Sequence, residues 1–155
     1  MIEKGSKNTG VISNKKAAGG EASVLHQYQA EGRQTAYMTT FDREVSPQEV
    51  VGPVVIASSA VTYMSAAGAT SGFALAKKQL GQTGWEQVST GSLGAQAAAF
   101  TETKALDQSE YQSFVLAWRQ ANVVNEIRIA GNAATLDLNY ALTLARVQQR
   151  TETRN

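Results

Sequence analysis

Residues 111–130 read Tyr-Gln-Ser-Phe-Val-Leu-Ala-Trp-Arg-Gln-Ala-Asn-Val-Val-Asn-Glu-Ile-Arg-Ile-Ala, and this stretch decides the fold. Phe114, Leu116 and Trp118 recur at every second position, the spacing that puts side chains on one face of a strand. Val123, Ile127 and Ile129 share a face in the next segment, opposite Val124, Glu126 and Arg128. The connection Gln120–Asn122 is too short for a crossover, so the two segments form an antiparallel β-hairpin.

Working outward, Gln96–Thr103 reads as a strand around Ala98 and Phe100. Val54–Tyr63 is β-branched on both faces and reads as a central strand, while Thr35–Phe41 alternates Tyr37 and Phe41 against wetter positions. Three segments carry helical spacing. Glu21–Glu31 places Val24, Leu25 and Tyr28 together, with Gly32 where a helix would end. After a Ser65 cap, Ala66, Ala69, Phe73, Ala76 and Leu80 form one apolar stripe, and Gly81 stops it. After Thr135, taken as a cap, Leu138, Ala141, Leu142 and Ala145 define a last helix to about Gln149. Gly68 and Gly72 inside the second helix cost about 1 kcal/mol each relative to Ala, which calls for close packing against a sheet. Asp42–Pro53 and Gly84–Gly94 read as loops, with Trp85 the lone large side chain of the second.

Consecutive strands with interspersed helices give an α+β class: a mainly antiparallel sheet of about five strands with about three helices packed on one face. The helix after Tyr63 leaves room for one parallel pair. The expected organisation is an N-terminal arm over 1–19, flexible or partner-bound, one domain over 20–150 and a frayed tail over 151–155. At 155 residues a single domain buries roughly 70% of its extended-chain surface, so no covalent staple is required.

Composition excludes several chemistries. Zero Cys removes disulfides, thiolate metal sites and cysteine nucleophiles, and a single His removes multi-histidine metal centres and most catalytic triads. Lys+Arg 14 against Asp+Glu 13 gives +1, which argues against a nucleic-acid partner or a polybasic membrane anchor. No apolar run reaches a membrane-spanning length of about 18 residues, and 1–14 lacks the apolar core of a signal peptide.

Candidate chemistry is sparse. Gly68–Gly72 is glycine-rich but sits inside an amphipathic helix, so it reads as packing and not as a phosphate loop. His26 has the chemistry of a general base but reads as a surface or half-buried histidine. Glu102, Asp107 and Glu110 gather near one turn without ligand spacing and read as solvated. Arg119 and Arg128, near one another across the hairpin, read as solubilising charges and not as an anion site. Neither cofactor nor metal is indicated. Trp85 either plugs the core edge or marks a partner surface. Val11 and Ile12, the apolar pair of the arm, are candidates to add a strand to a neighbour's sheet; the competing expectation is that the arm is a linker tethering the domain to a membrane anchor.

Several short segments carry a family resemblance: Gly32-Arg33, Ser65-Ala66-Ala67-Gly68-Ala69, Leu93–Phe100 and Trp118-Arg119-Gln120-Ala121-Asn122-Val123-Val124. Their order over roughly residues 20–150 resembles small extracytoplasmic bacterial domains of unknown function, secreted or lipoprotein-borne. Two sites depart from that pattern, with Ala121 in place of a turn glycine and Ala95-Gln96 in place of acidic residues. The resemblance implies a place outside the cytoplasm, no known enzymatic activity, and a fold similar to PsbP or Mog1 domains. The resulting expectation is a non-enzymatic extracytoplasmic interaction or assembly module at the bacterial cell surface. A small-molecule binding module with an apolar pocket on the sheet is the alternative, and a small hydrolase or isomerase comes last.

Overall fold

The computed structural model describes residues 9–43, 51–82, 84–106 and 109–152. The hairpin lies at its heart. β6 (Ser109–Gln120) and β7 (Val123–Asn132) pair antiparallel from Tyr111↔Asn132 to Gln120↔Val123. The other strands are β1 (Gly10–Ile12), β2 (Arg33–Asp42), β3 (Pro53–Tyr63), β4 (Glu86–Val88) and β5 (Gln96–Leu106). The described residues form one sheet in the order β1-β2-β3-β7-β6-β5-β4, every neighbouring pair antiparallel. The helices are α1 (Asn14–Ala17), α2 (Ala22–Ala30), α3 (Ala66–Gln82) and α4 (Leu138–Glu152).

The expected architecture is corrected in three respects. Among the described residues the sheet has seven strands and not five, and there are four helices and not three. The extra strands, β1 and β4, are three residues long and sit at the two edges, too short for any alternation to register in the sequence. The helices are also not gathered on one face. Ala141, Leu142 and Ala145 of α4 pack with Phe114, Leu116, Trp118, Ile127 and Ile129, whereas Ala69, Phe73 and Leu80 of α3 pack with Val115, Ala117 and Val124. Successive residues of a strand point to opposite faces, so α3 and α4 lie on opposite sides of the hairpin. β6 is therefore apolar from Phe114 through Trp118 without interruption, as a strand covered on both faces must be.

No parallel pair occurs among the described strands. α3 instead carries the chain from β3 across the sheet to the far edge at β4, and β4 to β7 return as a meander. Ser65 Oγ accepts from Gly68 N at 3.0 Å and caps α3 as expected. The cap of α4 is Asp137, whose Oδ1 accepts from Tyr140 N at 2.8 Å. Thr135 instead accepts from Gly52 N at 3.1 Å. Residues 44–50 of the expected loop and 153–155 of the expected tail lie outside the described residues.

Candidate functional site

The N-terminal segment is laid against its own sheet from Gly10 onward. Val11 pairs with Tyr37 and Ile12 with Ala36, making β1 an edge strand of the molecule to which it belongs. Ser13 caps the single turn of α1, and Asn14 then fastens it to β2. Asn14 Nδ2 donates to Arg33 O at 2.7 Å, and Arg33 Nη1 donates back to Asn14 Oδ1.

Val11 and Tyr37 are cross-strand partners on the sheet face that carries α4, yet α4 covers β6 and β7 and leaves this end bare. Val11 is 69% exposed and Tyr37 is 52% exposed. The stretch Gly10–Ser13 along this edge carries no charge. The opposite edge is charged, with Glu86 in β4 and a Glu102–Lys104 ion pair of 3.0 Å in β5. Charges on an edge strand hinder the pairing of another chain. The β1 edge lacks that protection.

The remaining sequence candidates disperse. Trp85 is half-buried against the α3-side core just before β4. His26 is exposed on α2. Glu102 is taken up by Lys104, Glu110 is exposed, and Asp107 lies outside the described residues. Arg119 pairs in register with Val124 and Arg128 with Val115, so the two arginines are four rungs apart, roughly 13 Å along the strands. Arg119 donates to Gln96 Oε1 at 2.7 Å and to Ala121 O at 2.8 Å, while Arg128 is held by Glu126. Among the described residues no group of three His, Asp or Glu side chains comes together to hold a metal ion.

A second cluster was signalled in the sequence only by the two helical glycines. An added Cβ at Gly72 would lie 2.1 Å from the Tyr63 hydroxyl, and one at Gly68 would lie 2.1 Å from Glu31 O. The glycines thus seat α3 on the Tyr63 side chain of β3 and on the turn that leaves α2. Beside this contact an open groove of about 610 Å³ runs between α2 and α3, lined by Gln27, Glu31, Ser65, Gly68 and Ser71 among others. Burial raises the Glu31 carboxyl above its usual range, against opposing effects from the Gln27 hydrogen bond and the nearby Arg33. Tyr63 is pushed up to about 12, chiefly by burial and then by the Glu31 charge.

No protein-family model matches the chain, and no curated protein matches it. The fold has a solved counterpart. It is similar to the extracellular domain of PknH from Mycobacterium tuberculosis, with a TM-score of 0.56 and 11% identity over 90% of this chain and 76% of that one. At that identity the likeness establishes a shared fold. The comparison lends no support to the PsbP/Mog1-like expectation.

Proposed function

We propose that the chain is a non-enzymatic, extracytoplasmic interaction module that associates with a second copy of itself by strand addition at the β1 edge. One observation carries the reading: the apolar Val11–Tyr37 pair stands exposed on an uncharged edge, while the other edge is protected by charge. Strand addition needs only free backbone groups and a few side-chain contacts, and an edge paired antiparallel with its own copy closes a twofold dimer. The extracytoplasmic placement is supported by the fold shared with an extracellular domain.

The test is light scattering after size exclusion over a range of protein concentrations. The intact chain should pass from monomer to dimer as concentration rises, and Val11→Lys should remain monomeric with its melting temperature unchanged. A wild-type chain that stays monomeric throughout, or a Val11→Lys variant that dimerises as well as wild type, refutes the reading. For location, protease added outside intact cells should cleave the protein. Protection until the cells are lysed contradicts the placement.

A further inference from the structure

We propose that the bare face of β1, β2 and β3 on the α4 side binds an uncharged polysaccharide by stacking on Tyr37. The Tyr37 side chain is exposed, and its cross-strand neighbour on β3 is the small Ala60, which leaves that side of the ring open. Hydroxyl groups lie two residues to either side of it, about 7 Å along the strand. On one side Thr39 registers with Ser58, and its Oγ1 is 3.0 Å from Thr9 Oγ1. On the other, Thr35 Oγ1 is 3.2 Å from Thr62 Oγ1. A pyranose ring matches this pattern: it offers an apolar C–H face to the aromatic ring and hydroxyls at its rim that both donate and accept. The neighbouring helix supplies a wall. Ser58 Oγ donates to Gln148 Oε1 at 2.8 Å, so the flank of α4 that carries Gln148 is turned toward β3. Leu144 and Tyr140 precede Gln148 by one and two turns on that flank, and exposed Tyr140 gives the trough a second ring.

Charge and size select the ligand. The only charged residues of these three strands are Arg33 and Asp42, and both belong to the other face. Arg33 registers with Tyr63 of the α3-side core, and Asp42 follows Phe41, which packs on the α4-side core. A nucleic acid, an acidic polymer or an anionic membrane therefore finds no counter-charge on this face. Three strands about 4.8 Å apart, over the six residue steps from Thr35 to Phe41, make a floor of roughly 300 Å². That is well under the roughly 800 Å² per partner of a stable protein interface. The floor is a ledge and not a cavity, which suits a ribbon-like chain of equatorially linked sugars. Its contacts are side chains on the face, whereas strand addition uses the backbone of the β1 edge.

The experiment is an amide chemical-shift titration of the intact chain with cellohexaose, an uncharged, ribbon-like β-1,4-linked glucan, at a protein concentration where light scattering finds monomer. Hexagalacturonate, an anionic oligosaccharide of the same length, is the control. Cellohexaose should shift the amides of Tyr37, Thr39 and Ala60 saturably, and hexagalacturonate should leave them in place. Tyr37→Ala and Tyr140→Ala should each weaken binding about two- to tenfold, the value of one aromatic contact. Tyr140→Ala should leave association through the β1 edge as in wild type, and a chain that never dimerises but binds cellohexaose refutes strand addition alone. Absence of a saturable shift overturns the proposal. Equal binding of hexagalacturonate, or undiminished binding by a folded Tyr37→Ala or Tyr140→Ala, overturns it as well.

Discussion

Replacing Gly72 by Ala should destabilise the protein, while the same replacement at Gly81 in the same helix should stabilise it. By helix propensity alone each change gains about 1 kcal/mol. At Gly81 no described residue lies within 4 Å of the new Cβ, so nothing opposes the gain, of which a position one residue from the helix end keeps at most the full amount. At Gly72 the Cβ would lie 2.1 Å from the Tyr63 hydroxyl, 2.3 Å from Cζ and 2.8 Å from Cε1. Tyr63 has little room to yield, because it is 5% exposed and its backbone is pinned on both sides of the peptide: Tyr63 N donates to Asn122 O at 2.9 Å, and Asn122 Nδ2 donates to Tyr63 O at 2.8 Å. Either α3 lifts from the sheet or the ring is displaced, and overpacking of this kind costs about 1–3 kcal/mol, more when a buried ring is expelled. An approach of 2.1 Å puts the cost at the upper end, about 3 kcal/mol, so with the propensity gain of about 1 subtracted Gly72→Ala should lose about 2 kcal/mol and Gly81→Ala should gain up to about 1 kcal/mol. Urea unfolding measures both, and each kcal/mol should move the melting temperature by roughly 2–4 °C for a chain of this size. Two variants that shift stability equally, or a Gly72→Ala as stable as wild type, would refute the claim that this glycine seats α3 on Tyr63.

Trp118 is fully buried between α4 and the sheet, and Trp118→Ala should cost about 3–5 kcal/mol in the same assay. Ala121 occupies the hairpin turn at φ 50, where a Cβ costs about 1–2 kcal/mol. Ala121→Gly should therefore stabilise by roughly 0.5–1 kcal/mol once the greater freedom of an unfolded glycine is subtracted. Tyr63 ionises at 10.0 when unfolded and at about 12 when folded, so its contribution to stability is intact below the lower value and falls as pH rises through that window. Phenolate absorbance should show it ionising late, and Tyr63→Phe should flatten the alkaline loss of stability.

The sequence made the centre of the sheet legible because its signals are local. Phe114, Leu116 and Trp118 alternate cleanly, and the short Gln120–Asn122 connection leaves a hairpin as the outcome, its turn narrowed in the structure to Ala121 and Asn122. The same strand also held the clue to the third layer. Val115 and Ala117 are as apolar as their neighbours, and a strand apolar on both faces needs a helix on each. Reading only Phe114, Leu116 and Trp118 as inward-facing put all the helices on one side. β1 and β4 escaped because three residues cannot display a period, and pairing Val11 with Tyr37 requires a contact 26 positions away in the chain. Gly68 and Gly72 announced a close approach. What they approach, Glu31 O and the Tyr63 hydroxyl, comes from segments whose meeting only the tertiary fold reveals.

Amide hydrogen exchange along β1, followed as protein concentration is raised, tests the interaction surface most directly. In dilute solution the β1 amides that pair with β2 should already be protected and those on the outer side should exchange freely. On concentration the outer amides should gain protection, with β6 and β7 unchanged and Val11→Lys abolishing the gain. Outer β1 amides that exchange freely at every concentration would contradict strand addition at this edge.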